Sequence, residues 1–324
     1  MSAAPILVVK LGALGDVAQA FGAFAAIRAH HPGSRVVLLT TPPYAGLLAR
    51  APWFDEVWIE ERLPAWRLAW VGLRARIRAA GFARVYDLQT SDRSDWIFRM
   101  IGPGPRPEWV GRVAGASHRH DDPRRDALHT QERLAGQLAK AGVVPQSAPD
   151  LSWMDGDVAR FGLPARVALL VPGASPHRPA KRWPAERFAE LARRLAARGI
   201  GCAVLGAAAD APLAARIRAG SPDAIDLCGR TALADLVPLG RACVLAIGND
   251  TGPMHWIAAA GAPVLALFSQ ESDPALCAPR GRAARFLRQP DLAGLGVDEV
   301  EAAALGLLDA AGRLSPGEAL PASP

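Results

Sequence analysis

Cys243-Val244-Leu245-Ala246-Ile247 is an unbroken apolar run. The next eight residues, Gly248-Asn249-Asp250-Thr251-Gly252-Pro253-Met254-His255, lead into the helix start Trp256-Ile257-Ala258-Ala259-Ala260. Apolar residues without alternation suit a strand covered on both faces, as in parallel sheets flanked by helices. The octapeptide is then a strand-to-helix turn, with Asp250 or Thr251 as its cap and Pro253 in the first helical turn. Such a turn aims free backbone N–H groups and the positive end of a helix dipole above the sheet, which suits a phosphate. His255 adds a polar or cationic side chain one turn in. A purely structural βα turn has the same composition, so this stretch alone leaves both readings open.

The same pattern opens the chain. Ile6-Leu7-Val8-Val9 reads as a buried strand, Lys10 to Asp16 as a glycine-punctuated loop, Val17 to His30 as a helix and Val36 to Thr40 as the next strand. That is one βαβ unit. The loop's GxxG spacing is not the dinucleotide GxGxxG, and Asp16 would repel a pyrophosphate placed there. An acidic side chain at the C-terminal end of a strand, beside the crevice where such sheets bind ligands, suits a general base; its plain alternative is a helix cap. Further strands are expected at Val57–Ile59, Val85–Gln89, Val167–Val171, Ile200–Leu205, Ile225–Leu227 and Val264–Phe268, the last clear one. Thr90 to Ser94 reads as a polar loop, and residues 102–127, rich in Gly, Pro, Arg and His, as a long functional loop. Within it His118, His120, Asp121 and Asp122 match no strong metal motif and read as a solvated segment. Leu63 to Ala80 reads as a helix with Trp66, Trp70, Leu73 and Ile77 on one face and Arg67, Arg74, Arg76 and Arg78 around it. It either packs on its own sheet or rests on an acidic membrane. Gly142 to Leu151, with Pro145 and Pro149, reads as a connection between domains 1–150 and 151–324.

With 324 residues, half of them hydrophobic, the chain is long enough for two cores. Residues 1–150 carry 19 basic and 14 acidic side chains against 18 and 17 in the remainder, so the net charge of +6 sits mainly in the first half. That asymmetry suits an anionic partner there, such as acidic lipid or a phosphorylated substrate. Aromatics do not interleave with the basic residues outside one helix and no recognition motif occurs, which argues against nucleic acid. Cys202, Cys228, Cys243 and Cys277 show no CxxC spacing and read as reduced core thiols. With no signal-peptide pattern and no long apolar span, a cytoplasmic protein is expected.

In the second half, Val167–Val171 runs into Pro172-Gly173-Ala174-Ser175 and the polar loop Pro176 to Arg182. Arg178 and Lys181 stand there as counter-charges for a leaving diphosphate. Taken together, four segments resemble the glycosyltransferase family of the ADP-heptose:lipopolysaccharide heptosyltransferases. They are Val8 to Val17, Asp87-Leu88-Gln89 with Arg93-Ser94, Pro172–Ser175 through Lys181–Pro184, and Gly248 to His255, in the family's order. The resemblance spans residues 6–280 and implies an α/β GT-B architecture, two Rossmann-like domains with a cleft between them. The acceptor is expected on the N-terminal domain and the nucleotide-sugar on the C-terminal one, with inverting transfer and neither cofactor nor metal. It further implies Asp16 as general base, with Gly15, Gln89 and Arg93 on the acceptor side. Lys181 offsets charge on the diphosphate, Ser175 and Arg178 lie in the phosphate-side loop, and Asp250 holds sugar hydroxyls. Thr251, Gly252, Pro253, Met254 and His255 form the diphosphate turn. The implied partners are ADP-heptose and a lipopolysaccharide core or lipid A precursor, at the cytoplasmic face of an anionic membrane. Ser269-Gln270-Glu271 departs from the family's usual turn after the last strand. The rival readings are a nucleotide-sugar epimerase or hydrolase of the same fold, and a binding protein without turnover.

Overall fold

A computed structural model describes residues 3–61, 69–102, 104–145, 148–175, 177–314 and 318–320. The chain divides into two compact units, Met1–Trp153 and Met154–Pro324.

The first unit runs β1 (Ala3–Val9), α1 (Leu14–Gln19), α2 (Phe21–His30), β2 (Ser34–Thr40), α3 (Pro42–Leu48) and β3 (Glu56–Ile59). It continues with α4 (Ala69–Ala80), β4 (Arg84–Asp87), α5 (Asp92–Met100), β5 (Glu108–Gly111), β6 (His118–Arg119) and α6 (Thr130–Ala139). Its six strands are parallel, in the order β3-β2-β1-β4-β5-β6. Leu7, Val8 and Val9 of β1 and Val36 to Leu39 of β2 are wholly buried, because helices cover both sheet faces.

Three expectations need correction here. Residues 102–127 are not one loop: β5 and β6 lie within them and complete the sheet. Trp109 and Val110 of β5 are buried, a signal masked by the Gly, Pro and Arg around them. The segment Thr90–Ser94 is a loop only as far as Ser91, which caps α5, so Arg93 stands on a helix. The helix expected from Val17 to His30 is two helices that meet at Ala20. His118 and Asp121 have local partners: the His118 ring lies 2.9 Å from the Lys140 carbonyl, and Lys140 pairs with Asp121 at 3.2 Å.

The N-terminal part of the expected Leu63–Ala80 helix, with Trp66 and Arg67, lies outside the described residues. From Ala69 on, Trp70 and Ile77 are buried against the sheet. Arg76 stacks over the Trp58 ring at 3.8 Å and pairs with Glu56 at 2.9 Å, while Arg78 donates to the Ile101 carbonyl. Among the described residues no helix is long and apolar enough to cross a membrane.

The second unit runs β7 (Val167–Val171), α7 (Ala185–Ala196), β8 (Gly201–Val204), α8 (Ala211–Gly220), β9 (Ile225–Asp226) and α9 (Leu236–Ala242). It continues with β10 (Leu245–Asn249), α10 (Gly252–Ala259), β11 (Pro263–Phe268), α11 (Pro274–Cys277), β12 (Ala283–Arg288) and α12 (Val297–Gly312). These strands are parallel too, in the order β12-β11-β10-β7-β8-β9. The strand β12 was not expected; as an edge strand it is only half buried, so it lacks a continuous apolar run. Numbered within its own unit, each sheet follows 3-2-1-4-5-6, the doubly wound order in which ligands bind where the strand order reverses. That point lies between β1 and β4 in one unit and between β7 and β10 in the other. The Cys202, Cys228 and Cys243 thiols are buried and free, and burial pushes each up to about 12.

Candidate active site

In the first unit the loops after β1 and β4 are laced together. Lys10 Nζ donates to the Leu88 carbonyl at 3.1 Å, and the Leu11 amide donates to Gln89 Oε1 at 2.8 Å. Thr41 Oγ1 donates to the Leu11 carbonyl at 2.9 Å, so Leu11 is held at both ends. Gly12 turns the chain with φ 124°, a conformation that L side chains resist, and α1 starts two residues later. Asp16 in its first turn accepts the Ala13 amide at 3.0 Å. The N-cap itself is Ala13, so Asp16 is not the plain N-cap weighed from the sequence but the third helical residue, which accepts from it. Asp16 also lines a cavity of about 240 Å³ at the switch point.

In that cavity basic side chains outnumber acidic ones, although Arg112 is already paired with Asp92 and Asp95 and Arg125 with Asp126. Lys10, Arg112, Arg125 and Arg133 line it with Asp16, Gln89 and Asp126. Burial lowers the affinity of Arg125 for its proton; Asp126 opposes that, while Arg133 and Arg112 add to it. Burial likewise depresses Lys10, with Asp16 and Asp87 pulling it back up. Beneath it Asp87 is fully buried, and desolvation raises its carboxyl to about 6 despite the amide hydrogen bonds it accepts from Thr90 and Gln89. Gln137 of α6 donates to the Asp87 carbonyl at 2.7 Å and fixes the cavity's far wall.

Of the acceptor-side residues read from the sequence, Asp16 and Gln89 line this cavity. Gln89 acts through its bond to the Leu11 amide. Gly15 belongs to the first turn of α1 and is not among the lining residues. Arg93 is also absent from the lining: it pairs with the buried Glu60 carboxylate and lies 4.9 Å over the Trp70 ring. Lys10 and the three arginines were not singled out. The arginines come from three separate segments, so no spacing in the sequence unites them.

In the second unit β10 runs on to Asn249, so the strand-to-helix turn is tighter than expected. Asn249 is fully buried and bridges the switch point: its Nδ2 donates to the Pro172 carbonyl at 2.7 Å and its Oδ1 accepts the Trp183 amide at 3.0 Å. Trp183 is itself locked, its indole donating to the Leu295 carbonyl at 2.9 Å. This anchoring presents Lys181, whose Nζ lies 2.5 Å from Asp250 Oδ2 with both side chains about a tenth exposed. Ser272 Oγ donates to the same carboxylate oxygen at 2.7 Å, a contact that Gln270 and Glu271 gave no reason to expect.

Thr251 is the N-cap of α10 by position, without a side-chain cap bond, and Pro253 lies in the first turn. Pro253 has no N–H and the Met254 amide already donates to the Thr251 carbonyl at 3.2 Å, so it is the Gly252 amide that this end offers to an anion. Thr251, Gly252 and Pro253 are partly exposed, and His255 is largely buried. The Met254 side chain is fully buried, its sulfur packed where a side chain on Gly248 would sit, so Met254 belongs to the turn by its backbone only. Ser175 and Arg178 are exposed; Arg178 reaches the Glu271 carbonyl at 3.4 Å, and the Glu271 side chain is itself exposed. Among the described residues no cluster of His, Cys, Asp or Glu could hold a metal ion.

Two doubly wound units, each with polar loops at its switch point, define the class: a GT-B enzyme of the α/β type. Residues 70–293 match the model of glycosyltransferase family 9 (heptosyltransferase), and the chain belongs to that family. It is therefore a glycosyltransferase, and the epimerase, hydrolase and binding-protein readings fall away. Over 308 residues, 87% of each chain, it is 27% identical to lipopolysaccharide heptosyltransferase 2 of Escherichia coli K12. A stretch of 99 residues, 29% of each chain, is 37% identical to lipooligosaccharide heptosyltransferase 2 of Haemophilus influenzae. The structure of E. coli ADP-heptose LPS heptosyltransferase II superposes with a TM-score of 0.76 at 23% identity, covering 94% of this chain and 99% of that one.

Proposed function

We propose that this enzyme transfers heptose from ADP-heptose to a lipopolysaccharide core acceptor, with inversion and without a metal. The observation that carries the reading is the cationic cavity of the first unit, in which Asp16 faces Lys10 and three arginines. Such a cavity suits an acceptor rich in phosphates and carboxylates beside the hydroxyl to be glycosylated. Asp16 takes the proton of that hydroxyl as its oxygen attacks the anomeric carbon. The bond from that carbon to the diphosphate breaks, and its electron pair leaves with the diphosphate.

The donor is assigned to the second unit. The start of α10, with Thr251, Gly252 and His255, receives the diphosphate, and Lys181 neutralises the charge that builds on it. Asp250, steadied by Ser272, holds sugar hydroxyls. Support for this donor comes from the related enzymes, one of which is named for ADP-heptose and lipopolysaccharide. The lipid-linked acceptor brings the enzyme to the cytoplasmic face of the membrane, where the basic first unit rests on anionic lipid.

The test is a transfer assay with ADP-heptose and a deacylated inner-core acceptor, read by mass spectrometry for wild type and Asp16→Asn. An acceptor heavier by one heptose with wild type alone supports both the reaction and the base. Saturable binding of another nucleotide-sugar without this product moves the donor elsewhere.

A further inference from the structure

The transfer just described leaves Lys10 unused, although it lines the same cavity as Asp16. Its side chain is 3% exposed. A buried ammonium is costly, and where the need is only packing an apolar residue of similar volume serves as well or better. Lysine offers three donors. Among the described residues one of them goes to the Leu88 carbonyl at 3.1 Å. The counter-charges are Asp16 on the cavity wall and the buried Asp87 at the end of β4. Asp87 Oδ1 is occupied by the Gln89 and Thr90 amides at 3.1 and 2.9 Å; Oδ2 has no hydrogen-bond partner among the described residues. The lysine thus lines the cavity beside Asp16 while its side-chain hydrogen bond holds it to the residue after Asp87.

We propose that Lys10 is a substrate-positioning residue: its ammonium donates to an acceptor oxygen beside the attacking hydroxyl, which turns that hydroxyl's proton toward Asp16. This rests on the reading of the first-unit cavity as the acceptor site. Lys10 forms and breaks no covalent bond, and the proton still passes to Asp16 while the electron pair leaves with the diphosphate. The acceptor chemistry it selects is a sugar carrying a second oxygen, hydroxyl or carboxylate, next to the reacting one. Arg133 is then left for a more distant anionic group, whereas Arg112 and Arg125 already have Asp92, Asp95 and Asp126 as partners.

The experiment compares wild type with Lys10→Met in the full-length enzyme, using ADP-heptose and the deacylated inner-core oligosaccharide, with and without added ethylammonium. Lys10→Met is expected to lower kcat/KM for the acceptor by ~10²-fold, the scale of lost positioning, while ADP affinity by calorimetry stays near wild type. Ethylammonium, entering the space left by the side chain, is expected to restore part of the rate. A variant within about threefold of wild type overturns the proposal, and so does a loss that the amine does not lift. If Lys10→Met does not fold, Lys10→Gln carries the same comparison. A wild type that transfers nothing marks failure of the heptosyl reading instead. Equilibrium binding of the oligosaccharide then decides: binding about tenfold weaker in Lys10→Met keeps the role, and equal binding ends it.

Discussion

Asp16 has two tasks in one carboxylate, since the oxygen that starts α1 by accepting the Ala13 amide belongs to the group assigned as base. Asparagine retains an oxygen for that amide but cannot take a proton. Asp16→Asn should therefore keep the fold and the donor affinity while turnover drops by ~10²-fold or more, and steady-state kinetics beside calorimetry will separate the two. Asp87 gives a different signature. Its carboxyl is raised to about 6, so the folded state binds its proton more tightly than the unfolded chain does. The stability it contributes is complete below about pH 4 and is lost as pH rises through about 6. Asp87→Asn should remove that loss, so that its stability does not fall between pH 4 and pH 7 by the ~3 kcal/mol that linkage assigns to the wild-type carboxyl. Urea unfolding of both proteins at pH 4 and pH 7 checks it; parallel changes in the two would show that Asp87 is not the source.

At the scale of elements, the cavity is a convergence of parts that are remote in sequence. Arg112 follows β5, Arg125 lies in a short 3-10 turn and Arg133 is on α6. Replacing Arg125 and Arg133 with Gln should raise KM for a phosphorylated core acceptor at least tenfold, by roughly 1.4 kcal/mol or more, and flatten its salt dependence. ADP binding, which we assign to the other unit, should stay the same. Helix α4 tests the membrane contact: replacing Arg74, Arg76 and Arg78 with Ala should lower pelleting with anionic liposomes, each basic residue near the surface being worth about 1 kcal/mol. Equal pelleting would reject the membrane contact. The same elements show what the sequence made legible. Strands β1, β2, β7, β10 and β11 stood out because burial on both faces demands unbroken apolar runs. β5 and β6 are masked by the Gly, Pro and Arg around them, and β12 is too exposed to carry that mark. Asp16, Lys181 and Asp250 were readable as residues placed just past strand ends. Lys10 also stands just past a strand, but its burial depends on Leu88 and Asp87, some eighty residues away. Ser272 follows an atypical turn whose path depends on packing.

For the molecule as a whole, each unit has a core and a switch-point site of its own, and ligands should report on the unit that holds them. ADP binds only the native donor site, so it should raise the Tm of wild type by mass action. Lys181→Ala removes one partner of a nearly buried ion pair and leaves Asp250 uncompensated. It should lower stability by about 3 kcal/mol or more and abolish most of the ADP-induced rise in Tm. Differential scanning fluorimetry with and without ADP checks this, and a rise equal to that of wild type would remove Lys181 from the donor site. The strand order 3-2-1-4-5-6 occurs twice, and each time side-chain bonds across the reversal tie the floor of the crevice together: Lys10 and Gln89 in one unit, Asn249 in the other. With that floor secured by the sheet, the loops above it can change without loss of the fold. In evolutionary terms the proposed division of labour makes the choice of sugar and the choice of acceptor separately heritable, so a lineage could adopt a new core structure by editing the loops of one half while the other keeps its donor.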